Sequence, residues 1–225
     1  MFRYGKVGIS YLEHDCFRLE AGGRTLYTDP FRIGGQPEKA DVVTISHDHF
    51  DHLSVEDLSK VVTSETSVIA SVNCEGKVNV RAKEKVFLKP GEAVEVKGFK
   101  VKAVPAYNVN KFRAPGQPFH PRSYNGLGYL LEAEGVRVYH AGDTDAIDEM
   151  GDMGEVDVAL LPVSGTYVMT ADEAVQAVRL LKPKVAVPMH WGAIVGGRAD
   201  AERFVAAASK ITRAELIEKE RGSPG

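Results

Sequence analysis

Residues 47–52 read His47-Asp48-His49-Phe50-Asp51-His52. The residues just before them, Asp41–Ser46, are rich in Val and Ile and read as a strand. Those just after, Ser54–Lys60, open with Ser54-x-x-Asp57 and read as a capped helix. His47, His49, Asp51 and His52 therefore place four metal-ligand side chains within six positions at the carboxyl end of a strand. In extended backbone, side chains at i and i+2 share a face, so His47 and His49 can grip one ion together. As the chain turns into the helix, Asp51 and His52 swing aside and can hold a second ion. Imidazole with carboxylate suits zinc, manganese or iron rather than calcium. A turn histidine or a helix cap would account for any one of these residues. It accounts poorly for three histidines in six positions.

Six residues cannot close two sites. The strand Val136–His140 runs into Ala141-Gly142-Asp143-Thr144, which puts Asp143 at a strand end where its carboxylate could bridge two ions. The strand Lys184–Met189 likewise ends in His190-Trp191-Gly192. Alone, Asp143 would read as a turn residue and His190 as a core histidine. The shared position at the carboxyl end of a strand, where α/β proteins place their sites, favours ligands.

Around these motifs the chain reads as an ordinary globular one. It has 225 residues, 44% hydrophobic and 26% charged, a length for one large domain. No apolar run reaches the ~18 residues of a membrane helix. The start, Met1 to Lys6, lacks a signal peptide's apolar core, so a cytoplasmic protein is expected. A net charge of −3 argues against a general nucleic-acid binder. Cys16 and Cys74 are expected as buried thiols. The first hundred residues are mainly strands. Helices are expected at Thr170–Leu181, which opens with a capping box, and at Asp200–Lys210. Two sheets with helices packed outside them follow, an α/β architecture in layers. Pro105 to Gly126 reads as a long functional loop. It lies within Val96–Leu131, which holds six basic residues and no acidic one. A solvated basic face or an anion-attracting rim would each explain that block.

In order along the chain, His47-x-His49-x-Asp51-His52, Gly142-Asp143 and His190 resemble the metallo-β-lactamase-fold superfamily. Thr28-Asp29-Pro30 is similar to that family's first motif. Val104-Pro105-Ala106-Tyr107-Asn108, His120-Pro121, Tyr139 to Asp145 and Leu161-Pro162-Val163 resemble one branch, a group of metal-dependent hydrolases related to L-ascorbate-6-phosphate lactonase and to the phospholipase D acting on N-acylphosphatidylethanolamine. The resemblance implies a four-layer αββα sandwich formed by residues 1–225 as a single domain. It also implies two divalent ions, zinc ahead of manganese or iron. His47 and His49 would bind the first ion, Asp51, His52 and His190 the second, and Asp143 both. The family has one more ligand histidine before the bridging aspartate. Pro105-Ala106 is followed here by Tyr107-Asn108, and His120 is the one histidine in the right interval. His120 is favoured as that ligand, with a substrate contact as its alternative. Asn108 is a weaker substitute, because a neutral amide is a poor zinc ligand. Asp29 is expected to orient a ligand histidine through its other ring nitrogen. His14 is expected beside the ligands or the substrate, and His140 in the core.

A hydrolase acting on a small molecule through a metal-activated water is the implied function. Asp51 would steer that water as well as bind metal. His14, Tyr107 or His120 would face developing negative charge. If the basic block is a rim, an anionic phosphate ester or lactone is the substrate, with Lys111, Arg113 and Arg122 in contact. A nuclease or phosphodiesterase of the same superfamily, or a metal-binding protein without turnover, is the competing reading.

Overall fold

The computed structural model describes residues 1–220. Each half of the chain builds one sheet. The first half gives β1 (Phe2–Tyr4), β2 (Val7–Glu13), β3 (Cys16–Ala21), β4 (Arg24–Thr28), β5 (Val42–Ile45), β6 (Ser67–Ser71) and β7 (Glu84–Leu88), paired in sequence order. The second half gives β8 (Ala93–Val96), β9 (Phe99–Pro105), the small hairpin β10 (Phe112–Ala114) and β11 (Gln117–Pro118), then β12 (Leu127–Ala133), β13 (Val136–His140), β14 (Val158–Pro162), β15 (Val185–Met189) and β16 (Arg213–Ala214). All but the hairpin form a second seven-stranded sheet, in the order β16-β15-β14-β13-β12-β9-β8. Among the described residues three α-helices complete the architecture: α1 (Val55–Val61), α2 (Ala171–Leu181) and α3 (Arg198–Ala208).

Both sheets change direction midway. Strands β1 to β4 are antiparallel hairpins, and β4 to β7 are parallel. In the second sheet β8, β9, β12 and β13 are antiparallel, and β13 to β16 parallel. The β3–β4 hairpin turns on Gly22 and Gly23, both at positive φ, as a two-residue turn of this twist requires.

Strand alternation sorts the core. Ile9, Leu19, Leu26, Val42 and Ile69 belong to one buried cluster with Val101, Ala103, Tyr129, Leu131 and Val138 of the other sheet. Tyr27, Val43, Ile45 and Val68 form a separate cluster with Leu58 and Val61 of α1. On the far side α2 packs on β14 and α3 on β15, through Ala174, Val178 and Phe204. The result is the expected αββα layering. Each fully buried Val, Leu or Ile contributes roughly 1.5–3 kcal/mol, so the layers are held mainly by burial.

Ser54 caps α1 by accepting the Asp57 N–H at 3.2 Å, and Thr170 and Glu173 cap α2 reciprocally. Helix α3 starts at Arg198, two residues before the expected Asp200, whose carboxylate accepts the Gly197 N–H. The expected loop from Pro105 to Gly126 contains the β10–β11 hairpin. Strand β7, whose Glu84-Lys85 start hides it, and the short edge strands β1 and β16 lie beyond the strands expected from sequence.

The parallel strands set the site. β4, β5, β13, β14 and β15 end immediately before Asp29, His47, Asp143, Ser164 and His190, respectively, or within three residues of them. After β16 the chain leaves the second sheet, where the Glu215 N–H meets the Ala186 carbonyl at 2.9 Å. It reaches the edge of the first, where the Glu220 N–H meets the Tyr11 carbonyl at 2.8 Å. Residues 215–220 thus strap the two sheets together. Among the described residues no helix is long and apolar enough to cross a membrane.

Candidate metal centre

Two donor clusters meet at the carboxylate of Asp143. In the first, His47 Nε2 lies 3.0 Å from His49 Nδ1, and His120 Nε2 lies 3.3 Å from the same Nδ1. Asp143 Oδ2 is 3.4 Å from His120 Nε2 and 4.0 Å from His47 Nε2. In the second, Asp143 Oδ1 is 3.3 Å from His52 Nε2 and 3.2 Å from His190 Nε2, and Asp51 Oδ2 is 3.9 Å from His52 Nε2. Each oxygen of Asp143 therefore addresses a different cluster. Gly142 makes this placement possible. Its φ is +61°, and a Cβ there would sit 2.5 Å from the Leu127 carbonyl oxygen.

In four of the five rings the far nitrogen is engaged, which directs the near one. His47 Nδ1–H donates to Ser46 Oγ at 2.9 Å, and His52 Nδ1–H to Asp29 Oδ2 at 2.8 Å. His120 Nδ1–H donates to Asn108 Oδ1 at 3.0 Å, and His190 Nδ1–H to Ser164 Oγ at 2.8 Å. Each ring then presents a bare Nε2 lone pair to the centre. Asp29 is anchored in turn, accepting the Ser46 N–H at 2.7 Å and the Ser46 hydroxyl at 2.6 Å.

These donor sets fit cations. His52 Nε2, His190 Nε2 and Asp143 Oδ1 are buried without a hydrogen-bond partner among the described residues, yet they converge. His47 Nε2 and His120 Nε2 turn lone pairs, not protons, toward their neighbours. Such an arrangement is repulsive until something positive sits between the donors. Tetrahedral zinc with ~2.0–2.1 Å ligand bonds spaces its ligand atoms by about 3.3 Å. Most of the separations here match that spacing.

Titration agrees. Burial holds His47 well below the ordinary histidine value and His120 at about 4, so both stay neutral donors. Burial would raise Asp143, but His190 and His52 outweigh it and hold the carboxylate well below its usual range. Burial would likewise lower His52 and His190, but Asp143 raises both. Without metal, the centre recruits protons as its cations.

A model of the β-lactamase superfamily domain matches residues 8–190 of this chain. The chain belongs to the metallo-β-lactamase superfamily. It is 33% identical over 215 residues to a UPF0173 metal-dependent hydrolase of Thermoplasma acidophilum, covering 88% of this chain and 89% of the relative. It is 34% identical over 203 residues to one of Methanoculleus marisnigri, covering 87% and 86%. A crystal structure from Parabacteroides distasonis, described as of a metal-dependent hydrolase, superposes with a TM-score of 0.82 at 31% identity, covering 95% and 94% of the two chains. A structure from Thermotoga maritima, described as of a zinc-dependent hydrolase of the superfamily, gives 0.64 at 27% identity, covering 94% and 98%.

On this superfamily scaffold the seven residues expected as ligands gather in one place: His47, His49, His120 and Asp143 in one group, and Asp51, His52 and His190 in the other. The structure puts His14 with the second group. Its Nε2–H donates to Asp51 Oδ2 at 3.2 Å, and its ring lies tilted against that of His190, with centroids 3.9 Å apart. Asn108, the weaker ligand candidate, faces away from the centre and grips His120 instead. Asp29 Oδ2 lies 2.8 Å from His52 Nδ1.

The basic residues turn out differently. Lys111 is paired with Glu173 at 2.7 Å and lies 3.6 Å from Asp145. Arg122 pairs with Glu149 at 2.8 Å and lies over the Tyr107 ring. The Tyr107 hydroxyl donates to Glu149 at 2.9 Å. Arg113 donates to the Phe119 carbonyl within its own hairpin. The block is acid-free in sequence only. Folding brings acidic partners from outside it, so no anion-attracting rim of free cations forms from Lys111 and Arg122.

Several contributors lacked a sequence signal. Tyr124 flanks His49 and His47 with ring centroids 5.6 and 6.0 Å away, and its hydroxyl donates to Asp48, which also pairs with Lys77. Asp15 is fully buried 3.7 Å from His52 Nδ1 with no hydrogen-bond partner for its carboxylate among the described residues, and burial raises its carboxyl to about 7. His140 is buried as expected, with Nε2–H donating to the Asp15 carbonyl, and its Nδ1 has no hydrogen-bond partner among the described residues. Cys16 and Cys74 are free, buried thiols.

Proposed function

We propose that this chain acts as a single-domain hydrolase on a small molecule, using two divalent ions, with zinc the best fit to the donor set. One observation carries the reading: the two oxygens of Asp143 face two separate donor clusters. In this reading His47, His49 and His120 hold one ion, Asp51, His52 and His190 the other, and Asp143 both. Bound there, the ions would supply a water acidified to near neutral pH and an electrophile for the scissile bond.

The chain's own groups do the rest. His14 keeps Asp51 ionised. Burial would raise the Asp51 carboxyl, but the His14 hydrogen bond and the neighbouring His52 hold it at about 2. An ionised Asp51 accepts a hydrogen bond from the attacking water and fixes its direction. Asp29, Ser46, Ser164 and Asn108 keep the imidazoles in one tautomer, so little reorganises as charge develops. Burial holds His14 itself at about 4, so near neutral pH it serves as a neutral donor.

The test is hydrolysis by chelator-stripped and zinc- or manganese-reloaded protein across esters, lactones, thioesters and phosphodiesters. Metal-restored turnover that Asp51→Ala cuts on the order of 10³-fold supports the proposal. A fully reloaded protein inert on every class supports a metal-binding scaffold without turnover instead.

A further inference from the structure

Several exposed hydrophobic side chains adjoin the donors of the centre in sequence, and this bears on what enters it. Large hydrophobic side chains left exposed are few among the described residues, and they concentrate on the loops that carry the donors. Phe50, between His49 and Asp51, is 68% exposed. Val55 begins the helix that follows, Ile194 lies four residues after His190, and Val109 and Phe112 lie between Asn108 and His120. Phe50 meets Phe31 edge to face at 6.0 Å, and Phe31 lies 5.8 Å from the His14 ring. Arg32 donates to the Ala193 carbonyl, which ties the Phe31 loop to the Ile194 loop. Phe50 thus touches Phe31 yet leaves most of its surface open to solvent in the middle of a metal-ligand loop.

We infer that the substrate carries a neutral, hydrophobic acyl or alkyl group that seats on Phe50 and Ile194 while its hydrolysable bond lies at the metal centre. The inference rests on the proposed metal centre and names the substrate class for it: a hydrophobic ester, thioester, amide or lactone rather than a polyanion. Arg32 and Arg113, the cations beside this surface, turn their guanidinium groups to the Ala193 and Phe119 carbonyls, while Lys111 and Arg122 pair with Glu173 and Glu149.

Straight-chain hydroxamates test this without turnover, because the hydroxamate chelates the metal and the tail reports the rim. Each methylene seated on an apolar surface is worth up to about fourfold in affinity. Zinc-loaded protein should bind octanohydroxamate at least tenfold more tightly than acetohydroxamate in calorimetry. In Phe50→Ala, and separately in Ile194→Ser, the ratio of the two affinities should fall several-fold. Both residues are surface-exposed, so both variants should fold, and the ratio within each protein cancels any change in metal loading. Equal affinities for the two chains in the unaltered protein would overturn the inference and leave the metal centre standing. A ratio unchanged in both variants would also overturn it. Failure of both compounds to bind the loaded protein would overturn the metal-centre reading and the inference with it.

Discussion

Replacing Asn108 with alanine separates a residue that holds a ligand from one that is a ligand. Asn108 is 5% exposed. Its Oδ1 accepts two hydrogen bonds from His120, from the backbone N–H at 2.8 Å and the ring Nδ1–H at 3.0 Å. Its Nδ2–H donates to the Tyr167 carbonyl at 2.9 Å. Alanine strands those groups in a buried place. Each unmet buried group costs roughly 1–3 kcal/mol, and water entering the vacated space recovers part of the sum. A net loss of about 2 kcal/mol should lower Tm by about 4–8 °C for a chain of this size. The larger effect is local. The His120 ring loses the partner that aims Nε2 at Asp143, and loss of such a partner typically weakens metal binding by about 10–100-fold. Chelator competition on the apo protein, with stepwise addition of zinc, resolves the two equivalents. One equivalent should weaken by that factor, while the half built from Asp51, His52 and His190 keeps its affinity. Two unchanged affinities alongside a lowered Tm would refute the role given to Asn108 and, through it, to His120.

Other consequences follow from the same geometry. Asp51→Ala should cut turnover on the order of 10³-fold while the circular dichroism spectrum and Tm stay near those of the parent; full activity in a folded variant would remove Asp51 from the mechanism. Metal affinity should rise with pH. Burial works against protonated His52 and His190, but Asp143 raises both, so below their raised pKa values an incoming ion must displace their protons. Competition titrations at pH 6, 7 and 8 should show up to about two decades of affinity per pH unit at the acid end, and a flat profile would contradict this. Lys219→Ala should loosen the strap between the sheets. Lys219 donates to the Trp191 carbonyl at 3.0 Å, lies over the Trp191 ring at 4.7 Å and pairs with Glu13, so it joins the loops that carry His190 and His14. A Tm drop of about 2–6 °C with weaker binding of one equivalent is expected, with Lys219→Arg restoring most of both.

Much of the centre could be read from the sequence because its donors are local. His47, His49, Asp51 and His52 lie within six residues, and strand-end positions pointed to Asp143 and His190. His120 was harder, since a hairpin intervenes between it and the Pro105-Ala106 pair, and only the fold brings Asn108 back onto its ring. Tyr124, Ser164 and Asp15 reach the centre through contacts 26 to 77 residues apart in the chain, which carry no periodicity or spacing. The partners of the basic block were hidden for the same reason. Charge along a chain says nothing about the acids, such as Glu149 and Glu173, that fold against it. In the fold, strongly alternating strands were visible, whereas β7 begins with charged residues at a sheet edge and the short edge strands exist only by pairing.

The central claim is that Asp143 joins two metal-binding halves. Elemental mass spectrometry on protein purified without chelators, paired with the Asp143→Ala variant, tests it most directly. The account predicts two equivalents of a divalent transition metal per chain in the parent, and loss of metal from both halves in the variant. One equivalent or none after reloading the parent, or two retained in Asp143→Ala, would contradict it.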